Sequence, residues 1–320
     1  MSSASASRNP ALSGLTIAVV GAGRVGSEVI RNLSLMGVGR IDVFECDHRA
    51  AEPLRNRYHV YEGDFWDTLT LARLQDYDFA VCTIDARAAR NRMNGKCLLA
   101  NVNFVQVGTE NTLAQVSAYP FGARHDSACA ECGTSPTSAI PMPIAALRLS
   151  VADAPRDSAS AAATSVATAS VAGGIAAALI ARIAAGSHGA VARSAALDAA
   201  LGQGTSVELQ PDANCPRCSN LQRPVPIVHT RNRWNVSEAI AQGCPEALDQ
   251  QLRLSDEIEG LATESSCLRE LSARFDGRPI PAKFALTDVG GRTICLAFED
   301  TDHETARAAT RAAAGRHTPS

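Results

Sequence analysis

Apolar positions along the first hundred residues follow two rhythms. Leu15 to Val20 is a continuous apolar run of strand length, the pattern of a strand buried on both faces of a parallel sheet. Val25, Val29, Ile30, Leu33 and Met36 then recur at helical spacing, and Gly37 and Gly39 supply a stop. Ile41 to Phe44 forms a second strand that ends in Glu45-Cys46-Asp47. The three segments make a βαβ unit. Further on, Tyr58 to Glu62 reads as a weaker strand, Phe65 to Leu74 as a short helix and Asp78 to Ile84 as a buried strand. Ala88 to Ala100 reads as a helix, and Phe104 to Val107 and Gln115 to Tyr119 as strands. This alternation predicts an α/β fold with a Rossmann-like, doubly wound sheet.

Beyond Cys218 the character of the chain changes. Proline-rich Arg223 to Ile227 reads as a linker, and Trp234 to Gly260 mixes a short helix with a strand. Lys283 to Thr287 and Thr293 to Phe298 suggest a hairpin across Gly290-Gly291, with a loop longer than two residues. The expected organisation is a flexible tail over 1–13, a nucleotide-binding domain over 14–219, a small α+β module over 220–300 and a C-terminal tail over 301–320. Ser158 to Ala181 carries no charge and is long enough to span a bilayer. Its residues are mostly Ala, Ser, Thr and Gly, which contribute little to insertion. The segment reads instead as a crossover that enters a closely packed helix near Val166.

Composition narrows the function. With 320 residues, 46% of them hydrophobic, and a net charge of −3, the chain has the make-up of an ordinary soluble globular protein. Basic residues are scattered and aromatics sparse, so nothing asks for nucleic acid. Met1 to Ser7 is Ser/Ala-rich, without the charged and apolar regions of a signal peptide, and a cytoplasmic location is the expectation. There, ten cysteines read as reduced thiols plus a metal site. Cys46, Cys82 and Cys295 lie in apolar runs and are expected to be buried.

Two motifs carry chemistry. Gly21-Ala22-Gly23-Arg24-Val25-Gly26 follows the first strand and opens the first helix, as a phosphate-cradling turn does. Gly21 allows the turn, Gly23 lets backbone approach a ligand, and Gly26 packs helix on strand. Glu45 lies 24 positions past Gly21, about where the partner of a ribose hydroxyl belongs. The same features would serve a Rossmann-like domain that keeps its glycines for packing alone. The second motif is a repeated Cys-x-x-Cys, at Cys129/Cys132 and Cys215/Cys218. Each pair offers two thiolates from one tight turn, and together they close a four-sulfur zinc site. With 82 residues between the pairs, the metal would pin two distant loops together. A closed four-thiolate site is structural, because it leaves no position for water or substrate.

As a set, these residues resemble the ThiF/MoeB/HesA family, the ubiquitin-activating-enzyme-like adenylyltransferases, over roughly Ala11 to Cys218. The resemblance rests on the glycine loop, the stop Gly37-Val38-Gly39, the ending Glu45-Cys46-Asp47, the segment Asp85-x4-Arg90-x3-Asn94 and the order of the thiol pairs. It implies an enzyme that uses Mg2+ and ATP to convert a carboxylate into an acyl-adenylate. The carboxylate would be the C-terminus of a ubiquitin-like or sulfur-carrier protein, or of a peptide. By the same resemblance Glu45 is the ribose partner, Asp85 holds magnesium, Arg90 and Asn94 belong to the supporting helix, and the protein is a homodimer. For Asp85 a second role is open, as N-cap of the helix near Ala88.

The chain also departs from the family. Pro53-Leu54-Arg55-Asn56-Arg57 stands where Asn-Leu-x-Arg-Gln is usual, and the usual lysine of the next helix is missing, since Lys96 and Lys283 are the only lysines. The usual N-terminal arginine-bearing helix is missing too. Arg49, and above all Arg55 and Arg57, are the expected substitutes for neutralising phosphates, and with Asp85 they make up the expected catalytic set. No cysteine lies between Cys132 and Cys215, where thioester-forming members carry theirs, and only Cys244 and Cys267 are available instead. Two other readings stay open: a binding scaffold that has lost ATP chemistry, and an NAD(P)-dependent oxidoreductase that shares the glycine loop.

Overall fold

The computed structural model describes residues 10–132, 165–186, 190–215, 217–229, 252–254, 267 and 284–298. After a helical turn, α1 (Pro10–Ser13), come β1 (Thr16–Val20), α2 (Arg24–Leu35), β2 (Arg40–Glu45), α3 (His48–Ala51), a 3-10 turn (Glu52–Leu54) and β3 (His59–Glu62). Next are α4 (Phe65–Thr68), α5 (Leu71–Leu74), β4 (Phe79–Cys82), α6 (Arg87–Ala100), β5 (Asn103–Glu110), β6 (Leu113–Tyr119), α7 (Val166–Ala184), β7 (Arg193–Asp198) and β8 (Gln203–Glu208). The C-terminal region adds β9 (Ile227–His229), β10 (Leu252–Leu254), β11 (Phe284–Val289) and β12 (Arg292–Ala297). The chain divides into a unit of Met1–Leu69 with Arg73–Asn220 and a unit of Thr70–Ala72 with Leu221–Ser320.

In the first unit eight strands form one sheet in the order β3-β2-β1-β4-β5-β6-β7-β8. The pairs from β3 to β5 are parallel, and those from β5 to β8 antiparallel. The continuous apolar run of β1 is explained by its place in the middle, where Ile17 to Val20 are all buried. Helix α2 turns Gly26, Val29, Ile30 and Leu33 to the core. It ends with Gly37 at φ 80° and the Val38 N–H on the Leu33 carbonyl, a left-handed stop.

Helix α7 packs on α2, β5 and β6, and small residues make that approach close. A Cβ added at Gly173 would lie 2.8 Å from the Glu28 carbonyl carbon. Among the described residues, α7 is the one helix long and apolar enough to cross a membrane. Here it buries Ala172, Ala176, Ala177 and Ile180 in the same core as Val29, Ile30, Val105 and Val116.

Several details differ from the sequence reading. Phe65 to Leu74 is two short helices, broken at Leu69-Thr70, and Leu69, Leu71 and Leu74 are nonetheless fully buried. Arg223 to Ile227 is no free linker, because Val225 is buried, Pro226 accepts the Cys295 N–H, and Ile227 starts β9 parallel to β12. The loop from β11 to β12 is two residues long, since Val289 pairs with Arg292. Gly290 and Gly291 both take positive φ, as a tight hairpin turn requires, so towards the turn the first strand runs two residues further and the second one residue further than their apolar character indicated. Strands β7 and β8 were not anticipated: β8 is exposed along most of its length and has no apolar face to read. Most of the segment from Trp234 to Gly260, together with Lys283, Cys244 and both expected tails apart from 10–13, lies outside the described residues.

Candidate functional site

The strand order reverses between β1 and β4: from β1 the chain builds outward to β2 and β3, and from β4 to β5. In open α/β sheets the crevice outside the C-terminal ends of the strands at such a switch point is where ligands bind. The glycine loop leaves β1 at this crevice, and Thr83-Ile84-Asp85 leaves β4 beside it.

The two turns touch. Gly21 has φ 92°, and a Cβ there would stand 2.7 Å from Thr83 Oγ1. The Thr83 hydroxyl donates to the carbonyls of Val20 (3.1 Å) and Gly21 (3.0 Å), which ties the turn after β4 to the one after β1. At Gly26 a Cβ would lie 2.1 Å from the Gly21 oxygen, so only glycine lets α2 start this close to the strand. Gly23 differs, because a Cβ there would meet nothing of the protein within 4 Å. It is also the N-cap of α2, which has no side-chain cap. An uncapped helix start facing open space is a place for an anion, held by first-turn N–H groups and the helix dipole. Arg24 is exposed at the first helical position.

Glu45 is buried at the end of β2, and its two oxygens accept the N–H groups of Ala22 (2.5 Å) and Asp47 (2.8 Å). Its carboxylate therefore tethers the glycine loop to the end of β2. Asp47 is exposed and caps α3 by accepting the Arg49 N–H at 2.9 Å. Cys46, expected to be buried, is exposed, because β2 stops at Glu45 and the thiol lies on the turn beyond it.

Asp85 lies just past β4, with its side chain 72% exposed. It does not cap a helix: the N-cap of α6 is Ala86, without any side-chain cap. Its carboxylate is held by Arg90, whose Nη2 stands 3.3 Å from Oδ1 while Nε donates to the Ile84 carbonyl at 2.8 Å.

The expected arginines separate. Arg55 pairs with Glu62 at the C-terminal end of β3, next to Glu45 in register, and its guanidinium also meets His48 Nδ1 at 3.1 Å. Arg57, expected to serve phosphates, is at the wrong end of the sheet. It lies over the Tyr58 ring and lines a hollow of about 630 Å³ with Val38, Gly39 and Arg40, at the N-terminal ends of β2 and β3. Because β3 runs parallel to β2, the chain must return to the N-terminal end of the sheet before His59, and Arg57, two residues earlier, has already left the crevice. Lys96 is also no phosphate ligand. It is fully buried and donates to the carbonyls of Leu69 (2.5 Å) and Trp66 (3.3 Å), where its charge complements the end of α4.

Among the described residues, one group of side chains is arranged to hold a metal ion: Cys129, Cys132, Cys215 and Cys218, with all four Sγ atoms within 4.8 Å of one another. The 129–215, 129–132 and 132–218 separations are 3.6, 3.9 and 3.5 Å. A tetrahedral zinc with bonds of about 2.3 Å needs S–S edges of about 3.8 Å, so these residues fit that ion. Mutual hydrogen bonding within the cluster pulls Cys132 and Cys215 towards the thiolate, Cys215 to about 6, and pushes Cys129 and Cys218 towards the thiol. The amide of Glu131 donates to Cys129 Sγ at 3.4 Å, and that of Cys129 to Cys132 Sγ at 3.3 Å. Such N–H donors favour the charged sulfur that a metal requires.

Sequence reading did not single out Thr83, which locks the two turns, nor Glu131 and Arg217, the residues inside the two Cys-x-x-Cys turns that pair at 2.8 Å. Opposite charges at matching places in the two repeats were the available signal.

Comparison with known proteins follows the same lines. The model of the ThiF family matches residues 51–218. The SUMO-activating enzyme subunit uba-2 of Caenorhabditis elegans is 25% identical over 161 residues, which cover 41% of this chain and 27% of that protein. The chain thus spans about a quarter of the length of that curated relative. Among solved structures, E. coli MccB with MccA-N7isoASN is 16% identical with a TM-score of 0.49, covering 65% of this chain and 68% of that one. E. coli MccB with ATP is 18% identical with a TM-score of 0.48, at the same coverages of 65% and 68%.

Proposed function

The chain belongs to the ThiF family, and from that premise we propose that it is an ATP-dependent adenylyltransferase that activates a carboxylate as an acyl-adenylate. The acyl donor would be the C-terminus of a ubiquitin-like or sulfur-carrier protein, or of a peptide. A relation to a SUMO-activating subunit supports a ubiquitin-like protein. The observation that carries the reading is the meeting, at one switch-point crevice, of an uncapped helix start after β1 and an exposed carboxylate after β4.

In this reading the first turn of α2 and the open face of Gly23 receive the phosphates, with Arg24 at the helix start. Glu45 accepts a ribose hydroxyl on lone pairs left over from the Ala22 and Asp47 amides. Asp85 would hold magnesium, which commonly uses one or two carboxylates together with substrate phosphates. Magnesium, when bound, neutralises charge that builds on the leaving pyrophosphate. A carboxylate oxygen of the acyl donor attacks the α-phosphorus; the new P–O bond forms as the bond to the bridging oxygen breaks, and pyrophosphate leaves with that electron pair. Arg55 adds positive charge at the crevice edge, shared with Glu62. The four cysteines would hold a structural zinc, and a homodimer is the proposed assembly.

A specific observation favours a second reading. Lys96 is buried on backbone carbonyls and Arg57 faces the other end of the sheet, so among the described residues the crevice is short of the cations that triphosphate chemistry uses. That points to a scaffold that clamps a peptide or partner without ATP chemistry. ATP–pyrophosphate exchange with magnesium, on wild type and Asp85→Ala, separates the two. Exchange that disappears in the variant supports the enzyme, and no ATP binding by wild type supports the scaffold. Preference for NADH over ATP would make the protein an oxidoreductase.

A further inference from the structure

The two Cys-x-x-Cys turns contribute more than sulfur. Glu131, inside the first, accepts a hydrogen bond from Arg217 Nε, inside the second, at 2.8 Å, and both side chains are largely buried. This bridge sits on helix α6. Asn94, fully buried, accepts the Ala130 N–H on its Oδ1 at 3.0 Å, and its Nδ2 reaches Glu131 Oε1 at 3.5 Å. The next residue is Gly95, where an added Cβ would lie 3.7 Å from the Arg217 guanidinium.

One helical turn earlier, on the same face, stands Arg90. It holds the Ile84 carbonyl and the Asp85 carboxylate, and it lies flat enough on β5 that a Cβ at Gly108 would come within 3.0 Å of its Nη2. Residues four apart on a helix are separated by about 6 Å along its axis. Helix α6 is thus a short strut, fixed to the cysteine knot at Asn94 and to the turn after β4 at Arg90. Among the described residues Arg90 is the hydrogen-bonding partner of the Asp85 side chain, which is otherwise exposed.

We infer that Asn94 is a positioning residue that couples the four-cysteine knot to Asp85 through α6. Closing the knot fixes Ala130 and Glu131; Asn94 reads their position and sets the register of α6, and Arg90 passes it to the Asp85 turn. The assignment of a ligand-facing role to Asp85 rests on the function proposed above; the mechanical coupling does not.

The test uses the full-length, zinc-loaded chain and its Asn94→Ala variant, with Glu131→Ala as a second, less buried cut in the same link. Zinc content should remain about one per chain in both variants, because all four thiols are kept. Amide hydrogen exchange over 83–89 should be about tenfold faster than in wild type, a change within the range that coupling residues produce, while 21–26 exchanges as before. The gain in ATP affinity on adding magnesium should shrink, with affinity in its absence unchanged; a purely structural lesion would weaken both together. Wild-type exchange over 83–89 in a zinc-loaded variant overturns the inference. If Asn94→Ala does not fold, Glu131→Ala decides by the same readout. Failure of wild type to bind ATP would remove the adenylation reading alone, since the exchange measurement needs no nucleotide.

Discussion

The carboxylate of Glu45 accepts the backbone N–H of Ala22, so the end of the second strand holds the middle of the glycine loop in place. One side chain thereby ties the turn after β1 to the turn after β2. Glu45→Ala leaves two amides, those of Ala22 and Asp47, without their acceptor. An orphaned buried donor costs about 1–3 kcal/mol, and urea unfolding should show a loss of that size together with weaker nucleotide binding. Unchanged stability would mean that the loop holds its shape without the tether.

Gly23 and Gly26 should separate binding from folding. Gly26→Ala forces a methyl group against the Gly21 carbonyl, and should destabilise the chain by about 1–3 kcal/mol in thermal or chemical denaturation. Gly23→Ala places its methyl in open space, and should cost only about 0.5–1 kcal/mol, from the poorer N-cap alone. ATP affinity, measured by calorimetry, should nevertheless fall, because the methyl group occupies the approach to the helix start. Equal nucleotide binding by Gly23→Ala and wild type would show that the phosphates bind elsewhere.

Metal analysis of the purified chain should find about one zinc, and Cys129→Ser should lose it. Zinc peptides gain on the order of 10 kcal/mol from such sites, so the variant should unfold at a much lower temperature and with less cooperativity. Chelation of the wild type should reproduce the effect. A zinc-free chain with full stability would reduce the four thiols to a packing cluster.

The thiols outside the knot differ in access. Burial pushes Cys82 up to about 11 and raises Cys97 as well, and both are enclosed. Cys46 is exposed, although partial desolvation and the neighbouring Glu45 raise it above the ordinary thiol range. A maleimide at mildly alkaline pH should therefore label Cys46 ahead of Cys82, Cys97 and Cys295 in the native chain, as peptide mapping would show. ATP should slow the labelling of Cys46, which lies between Glu45 and Asp47. Labelling that ignores ATP would place the nucleotide away from the end of β2.

Much of this protein is written locally. The runs at Leu15 to Val20 and Ile41 to Phe44, the helical spacing from Val25 to Leu33 and the Gly37 stop are properties of neighbouring residues, and each element formed where its pattern stands. The repeated Cys-x-x-Cys marked the four clustered thiols for the same reason: a two-residue gap already aims two thiols at one point. Turn and edge features were less legible. The exposed β8 carries no apolar alternation, and the Gly290-Gly291 hairpin is tighter than side-chain character suggests, because backbone dihedrals and pairing set it.

What the amino-acid order determined by itself was the set of elements and the list of donors, since periodicity, glycine placement and thiol spacing act over a few residues. Which of those donors meet was decided only by the tertiary structure. Parallel pairing of β1 with β4 brought Thr83 and Ile84 beside the glycine loop, and the direction of β3 took Arg57 to the opposite end while leaving Arg55 near Glu62. Burial made Lys96 a clamp for carbonyl groups, and the approach of two loops across 82 residues turned Glu131 and Arg217 into a bridge. The reason is physical: local preference fixes what each segment becomes, whereas burial of a shared core fixes which ends of those segments lie together.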